Sequence, residues 1–106
     1  MSRFVIVAYT PKANQEAGLL QCVKKHLVVL KAEGLITDKP AYVMRATNGT
    51  ILEVFEWKSA EAIQQAHQLS SVQALWGEFA AVCDYTKLSD ISETQQMFAE
   101  FESIDL

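Results

Sequence analysis

The stretch AYVMRATNGTILEVFEW (residues 41–57) decides the fold of this chain. Asn48-Gly49 lies between two strand-like runs, Ala41 to Thr47 and Thr50 to Trp57. Both residues of an Asn-Gly pair tolerate the positive φ that a type I′ turn requires, and this pair between alternating runs is a strong hairpin signal. The pattern therefore predicts a β-hairpin with a two-residue turn.

A two-residue turn also predicts which residues lie opposite one another. The expected pairs are Thr47 with Thr50, Ala46 with Ile51, Met44 with Glu53, and Tyr42 with Phe55. One face would then carry Tyr42, Met44, Ala46, Ile51, Glu53, Phe55 and Trp57, and the other Val43, Arg45, Leu52, Val54 and Glu56. Both faces are largely apolar, and one short chain has helices enough to cover only one of them. We therefore expect a homodimer that packs through sheet faces.

Composition predicts a single folded domain over residues 1–106. Half of the residues are hydrophobic and 21% are charged, which is typical of a globular protein. The net charge of −4 and the scattered basic residues argue against a nucleic-acid partner. No stretch has the length of a membrane span and the start lacks the pattern of a signal peptide, so we expect no membrane partner and a cytoplasmic location. Cys22 and Cys83 are predicted to be reduced, buried thiols.

The remaining elements follow from periodicity and capping signals. A continuous apolar run, Phe4 to Tyr9, is typical of a central strand buried on both faces. A helix is predicted from about Asn14 to Glu33, followed by Gly34 at the left-handed position after its end. A second helix starts after the cap Ser59 and continues to about Val82 or Cys83, with a kink or a division at Ser70-Ser71.

The last part of the chain is expected to add one strand and one helix. Residues 84–88 have the alternation of a short strand. The sequence Ser92-Glu-Thr-Gln95 fits a capping box, and the helix it opens would carry an apolar stripe of Met97, Phe98, Phe101 and Ile104. The order β-α-β-β-α-β predicts an α+β protein, a ferredoxin-like sandwich with an added C-terminal helix.

The element order and the segment EWKSAEAIQQAHQLSS (residues 56–71) resemble the antibiotic-biosynthesis-monooxygenase-like domain of the dimeric α+β-barrel superfamily. Members of that family commonly have a Glu and an aromatic residue at the end of the third strand, followed by an Ala-His pair in the next helix. The resemblance implies a dimeric α+β barrel with a cavity between sheet and helices. It also implies a cofactor-independent monooxygenase, or a related enzyme, acting on an apolar phenolic or enolisable molecule. The superfamily includes members of unknown role, so a non-catalytic dimer that binds a small ligand stays open.

Three residues are candidates for catalysis: His67, Glu53 and Glu56. His67 flanks the apolar stripe of the second helix, where an imidazole can act as a general base. Glu53 is a carboxylate among apolar residues of a predicted central strand, and Glu53 or Glu56 would orient the base. The structural alternatives are an ion pair or hydrogen bond of Glu53 at the dimer interface, and a hydrogen bond from His67 to Glu56 or to a backbone carbonyl.

The candidate ligand-binding residues are Tyr42, Phe55, Trp57 and Trp76. The alternative for Trp57 and Trp76 is a place in the core, and the alternative for Tyr42 is a packed aromatic residue with its hydroxyl group at the rim. His26 is expected to be exposed, because two lysines precede it. No His, Cys, Asp or Glu cluster has ligand spacing and no glycine-rich loop is present, so we expect no metal and no cofactor.

Overall fold

The computed structural model describes residues 1–106 as an α+β fold with one antiparallel sheet of five strands. The strands are β1 (Arg3–Pro11), β2 (Tyr42–Arg45), β3 (Ile51–Trp57), β4 (Cys83–Thr86) and β5 (Glu102–Ser103). The helices are α1 (Glu16–Ala32), α2 (Ala60–Ala66) and α3 (Ser70–Val82). The order across the sheet is β4-β1-β3-β2-β5, so β1, β3 and β2 each pair with neighbours on both sides. No helix combines the length and the apolar character that crossing a membrane requires.

The hairpin forms as predicted, but the predicted register is wrong by one residue. The loop has three residues, because Gly49 N–H donates to Ala46 O at 2.9 Å and Ala46 N–H donates to Thr50 O at 2.8 Å. Only Gly49 has a positive φ, of 94°, which corresponds to a type I turn followed by a glycine bulge. Asn48 contributes its side chain instead, since its Oδ1 accepts a hydrogen bond from Thr50 N–H at 3.0 Å.

The shifted register moves β2 side chains to the opposite face from the one predicted. Tyr42 pairs with Val54, and Val43 pairs with Glu53. Because side chains alternate along a strand, a slip of one residue exchanges the two faces of β2 relative to β3. Tyr42 and Met44 therefore do not share a face with Glu53, Phe55 and Trp57.

Helices α1 and α3 pack against each other on one face of the sheet, and we call this face the helical face. Alternate residues of β1 and β3 contribute to the core there, and they include Tyr9 and Ile51. The Tyr9 ring stacks on Phe79 of α3 with ring centroids 4.9 Å apart. Cys22 and Cys83 are free and buried, which confirms the prediction for the thiols.

The structure confirms the predicted end of α1, the predicted start of α2 and the division of the second helical region, but the predicted start of α1 is wrong. Gly34 has a positive φ of 73° after α1, and Leu35 N–H donates back to Leu30 O at 3.0 Å, as a glycine-capped helix end requires. Ser59 caps α2, and the second helical region is divided before Ser70. Asn14 does not cap α1, because it has a positive φ of 63° and the helix begins at Glu16.

The predicted C-terminal helix is wrong. Short 3₁₀ turns at Leu88–Asp90 and Ser92–Gln95 lead to a chain that crosses the second face of the sheet and adds β5. Ser92 and Gln95 do not form the predicted capping box, because Ser92 Oγ donates to Glu93 at 3.2 Å and Gln95 Nε2 donates to Ser89 O at 3.1 Å. The Glu93 carboxylate instead accepts hydrogen bonds from Thr47 N–H and Thr47 Oγ1 at 2.8 and 2.9 Å. Tertiary contacts thus override the local helix signal.

The segment after β4 (residues 87–106), which we call the tail, covers only part of the second face of the sheet, and we call this second face the open face. Ile91 is buried there against Ala8, Ala46 and Leu52. Phe4 and Ile6 of β1 stay 56% and 48% exposed on this face, so β1 is not buried on both faces within one chain.

Candidate functional site

A cavity of about 280 Å³ opens on the helical face, between the sheet and the helices. Its walls are mostly apolar and aromatic, and its polar groups are two imidazoles, two phenols and two indoles. The lining residues are Val5, Val7, Tyr9, His26, Phe55, Trp57, His67, Trp76 and Tyr85. A concave apolar space with few polar groups is typical of a small-molecule site.

Glu53 lies beneath this cavity as a fully buried carboxylate. Tyr9 Oη donates a hydrogen bond to Glu53 Oε1 at 2.7 Å. His26 Nδ1 lies 3.1 Å from Glu53 Oε1 and 3.0 Å from Oε2. All these partners come from the same chain, so the position of Glu53 does not depend on a dimer interface. A buried carboxylate without such donors would be costly, and here both oxygens are satisfied.

Strand register and helix spacing bring these three side chains together. Glu53 pairs with Val7 across β1 and β3, and Tyr9 is therefore its diagonal neighbour on the same face. His26 lies four residues after Cys22 and four before Leu30, which are both buried residues of α1. Residues four apart share one face of a helix, so α1 directs His26 toward the sheet. The prediction that His26 is exposed is wrong, because its residue is only 4% exposed.

The contacts of His26 favour one tautomer of its ring. The indole Nε1–H of Trp76 donates toward His26 Nε2 at a distance of 3.5 Å. An indole nitrogen only donates and a carboxylate only accepts, so these contacts favour a ring with its proton on Nδ1 and a lone pair on Nε2. Nδ1–H then donates to Glu53, and the side chains of Glu53, His26 and Trp76 form a continuous chain of hydrogen bonds.

His67 lies at the rim of the cavity, at the end of α2. Its Nδ1 is 2.8 Å from the carbonyl oxygen of Ile63, which can only accept, so Nδ1 carries a proton. Its ring packs against Trp76 with centroids 4.9 Å apart and planes inclined by 64°. Nε2 of His67 is therefore the nitrogen left for a ligand. The backbone-carbonyl alternative for His67 is present in the structure, and it is compatible with a ligand at Nε2.

The two phenols of the cavity stay protonated near neutral pH. Burial raises the pKa of Tyr9 far above its ordinary value, and the charge of Glu53 and the hydrogen bond to it raise it further. Burial also raises the pKa of Tyr85, with smaller contributions from Cys83 and Glu53. Tyr9 and Tyr85 are therefore neutral hydroxyl groups rather than bases.

Two predicted site residues lie away from the cavity. Glu56 belongs to the open face, where its oxygens accept hydrogen bonds from Thr37 Oγ1 at 2.8 Å and Lys39 Nζ at 3.3 Å. The hydroxyl groups of Ser2 and Thr37, together with Lys39, lower the pKa of Glu56 despite some opposing desolvation. Tyr42 is 62% exposed on the same face, as the corrected register requires. Neither residue can orient His67 or contact a ligand in this cavity.

The structure thus brings together four of the predicted residues around one cavity, namely His67, Phe55, Trp57 and Trp76, and sets Glu53 directly behind it. Sequence reasoning missed His26 and Tyr9. The signal for the burial of His26 is its spacing of four residues from Cys22 and from Leu30, which places it on the buried face of α1 although two lysines precede it in the sequence. The signal for Tyr9 was its place in an apolar strand, where a buried phenol needs a hydrogen-bond partner.

No group of three or more His, Cys, Asp or Glu side chains is arranged to hold a metal ion. Comparison with known proteins finds no relative, because the chain matches no protein-family model, no curated protein and no solved structure. The resemblance to the monooxygenase-like domain therefore stays a prediction.

Proposed function

We propose that this chain is a small-molecule enzyme, a cofactor-independent monooxygenase or a related enzyme, that acts on an apolar phenolic or enolisable substrate. The observation that carries the proposal is the aromatic cavity with a histidine at its rim whose Nε2 is left for a ligand. His67 accepts the substrate hydroxyl at Nε2, while Phe55, Trp57 and Trp76 pack against the substrate ring. A volume of about 280 Å³ suits a molecule of one or two rings.

The hydrogen-bond polarity of the cavity supports a substrate that brings its own hydroxyl group. Both imidazoles present Nε2 as an acceptor, since both Nδ1 atoms are engaged with Glu53 and Ile63. No lysine or arginine lines the cavity, and the carboxylate of Glu53 lies behind it. This arrangement disfavours an anionic substrate such as a carboxylic acid and favours a neutral phenol or enol.

The test is turnover of a panel of phenols and quinols, followed by oxygen uptake and chromatography of the products. His67→Ala removes the base at the rim, and we expect turnover to fall by about 100-fold or more. Gln68→Ala is the matched control, since Gln68 is an exposed neighbour outside the cavity. Equal rates for the wild type and His67→Ala would contradict the role of His67.

The second candidate is a non-catalytic dimer that binds a small ligand. One observation favours it: the carboxylate does not reach the cavity itself but is separated from it by Tyr9 and His26. Binding of phenols at the cavity with no turnover across the whole panel would select this candidate.

We also propose a ferredoxin-like fold that assembles into a dimeric α+β barrel through the open face. The strand order β4-β1-β3-β2 with α1 and α3 on one face supports the fold. Phe4, Ile6 and Tyr42, three large exposed residues on the open face, support the dimer, because contiguous apolar surface of this kind marks an interface.

Light scattering at micromolar concentration tests the dimer and should give about twice the chain mass. Ile6→Glu introduces a charge into the proposed interface and should produce a monomer. Val28→Glu is the matched control, because Val28 is an exposed apolar residue of α1 on the other side of the molecule. A wild-type monomer, or a dimer in Ile6→Glu, would overturn the proposed interface.

A further inference from the structure

The buried pair of Glu53 and His26 has no catalytic role in the function proposed above, which assigns the base to the histidine at the rim. Both side chains are almost completely buried, at 0% and 5% exposed, yet His26 forms part of the cavity wall. A purely structural core position would be filled at lower cost by apolar residues of similar volume. The position of this pair against the cavity therefore calls for a chemical explanation.

His26 Nε2, beside the cavity, accepts only one weak hydrogen bond within the protein. Its hydrogen-bond donor is the Trp76 indole at 3.5 Å, which is at the outer limit for a hydrogen bond. The hydroxyl group of a phenol or enol can approach an acceptor to about 2.7–2.8 Å and is the stronger partner. A bound ligand with an acidic hydroxyl group can thus replace the indole at Nε2.

We propose that His26, held by Glu53, is a second base of this site and takes the proton of a hydroxyl group that the ligand directs toward the inner wall of the cavity, whereas His67 serves a hydroxyl group at the rim. This inference rests on the proposed function, because it requires that the cavity binds a phenolic or enolic molecule. In the step, the O–H bond of the ligand breaks and an N–H bond forms at Nε2. The electron pair stays on the ligand oxygen, and the proton stays on the imidazolium.

Glu53 makes this proton transfer possible as a positioning residue. An imidazolium without a counter-ion is strongly disfavoured in a dry site. The carboxylate lies about 3.0 Å from Nδ1 and supplies that counter-ion, while Tyr9 holds Oε1 through its hydroxyl group. The same division of roles between a carboxylate, an imidazole and a hydroxyl group operates in other proton-transfer sites.

The surroundings of His26 contain no competing cation. The titratable groups near it are Glu53 from β3 and Tyr9 from β1, with Tyr85 and His67 elsewhere in the cavity wall. The aromatic rings of Phe55 and Phe79 meet the imidazole edge-on, at centroid distances of 5.7 and 5.3 Å. The positive charge formed on His26 is therefore balanced by Glu53 alone.

The test is ¹⁵N NMR of the histidine rings of the full chain, with 4-nitrophenol as the probe, at a pH just below the ionisation of the free phenol. In the free protein we expect His26 as the neutral ring with its proton on Nδ1. On binding we expect the imidazolium signal of His26 together with the visible band of the bound phenolate. Glu53→Gln keeps an acceptor for Nδ1 but removes the charge, and it should lower the bound phenolate fraction at least about tenfold.

Three results would overturn the inference. A free His26 with its proton on Nε2, or already an imidazolium, would remove the acceptor. Binding of 4-nitrophenol that shifts the indole signals of Trp57 and Trp76 but leaves His26 neutral would remove the second base and leave the proposed binding function intact. No binding of 4-nitrophenol or of any phenol in the panel would overturn both. The wild-type spectrum decides between these outcomes even if Glu53→Gln does not fold, and Gln68→Ala should behave as the wild type.

Discussion

Glu53 and Glu56 lie three residues apart on β3, and the two faces of the sheet use them in different ways. Glu53 points under the helices, where its partners are a phenol and an imidazole and where no lysine or arginine contacts it. Glu56 points to the open face, where its partners are a hydroxyl group and a lysine that extends into solvent. The alternation of side chains along a strand thus places Glu53 in the core beneath the cavity and Glu56 on the opposite face, where it is also buried but where its partner Lys39 is exposed to solvent.

The largest difference between the two faces should appear in the stability of alanine variants of these carboxylates. Glu53→Ala leaves Tyr9 Oη and His26 Nδ1 buried without a partner, so we expect a loss of about 3–5 kcal/mol in the free energy of unfolding. Glu56→Ala should cost much less, because water can replace its contact with Lys39. Urea unfolding followed by fluorescence measures both values. Equal losses would show that the two faces do not differ as described.

On the open face, truncating a buried residue of the tail should lower the free energy of unfolding, whereas truncating an exposed residue of the tail should not. Ile91 is fully buried against Ala8 and Leu52, so Ile91→Ala should lower the free energy of unfolding by about 2–4 kcal/mol. Met97 is 93% exposed, and Met97→Ala should change it by less than about 0.5 kcal/mol. The same urea experiment compares them. A large effect at Met97 would mean that this residue is covered by something outside the chain, such as a second copy.

The smallest expected effect is a loss of stability at alkaline pH, caused by the ionisation of a buried thiol on the helical face. Burial raises the pKa of Cys83 from 9.0 to about 11. The folded state then keeps the thiol proton that the unfolded chain has lost, so this contribution is complete below pH 9.0 and disappears as pH rises to about 11.

Cys83→Ser tests this pH dependence, since serine keeps a donor for Phe79 O but does not ionise in that range. When the pH rises from about 8 to about 11, the urea midpoint should fall less in the variant than in the wild type. Tyr9, whose pKa is also raised by burial, supplies a further part of the fall in both proteins. An identical fall would exclude Cys83 as a contributor.

The sequence predicted those features that depend on local chemistry. Gly34 ends α1 and Ser59 caps α2, because each acts on the backbone next to it. The burial of Glu53 also followed from its place among apolar residues of β3. These signals need no knowledge of which segment lies opposite.

The features that sequence reasoning missed depend on tertiary contacts. The hairpin register required a choice between two turns that both accept Asn-Gly, and the three-residue loop is favoured by the additional bond from Thr50 N–H to Asn48. The predicted helix after Ser92 does not form, and Glu93 instead accepts a hydrogen bond from Thr47 of the hairpin loop. His26 was assigned to solvent because its neighbours in sequence are lysines, although its neighbours along the helix face are buried.

Chemical-shift mapping with 4-nitrophenol on the ¹⁵N-labelled chain tests most directly whether the helical face holds the site. We expect the indole signals of Trp57 and Trp76 and the ring signals of His67 to move in a saturable manner, while the amides of Phe4, Ile6 and Tyr42 stay unchanged. Saturable shifts confined to the open face, or no saturable shift on either face, would contradict the assignment of the cavity as the functional site.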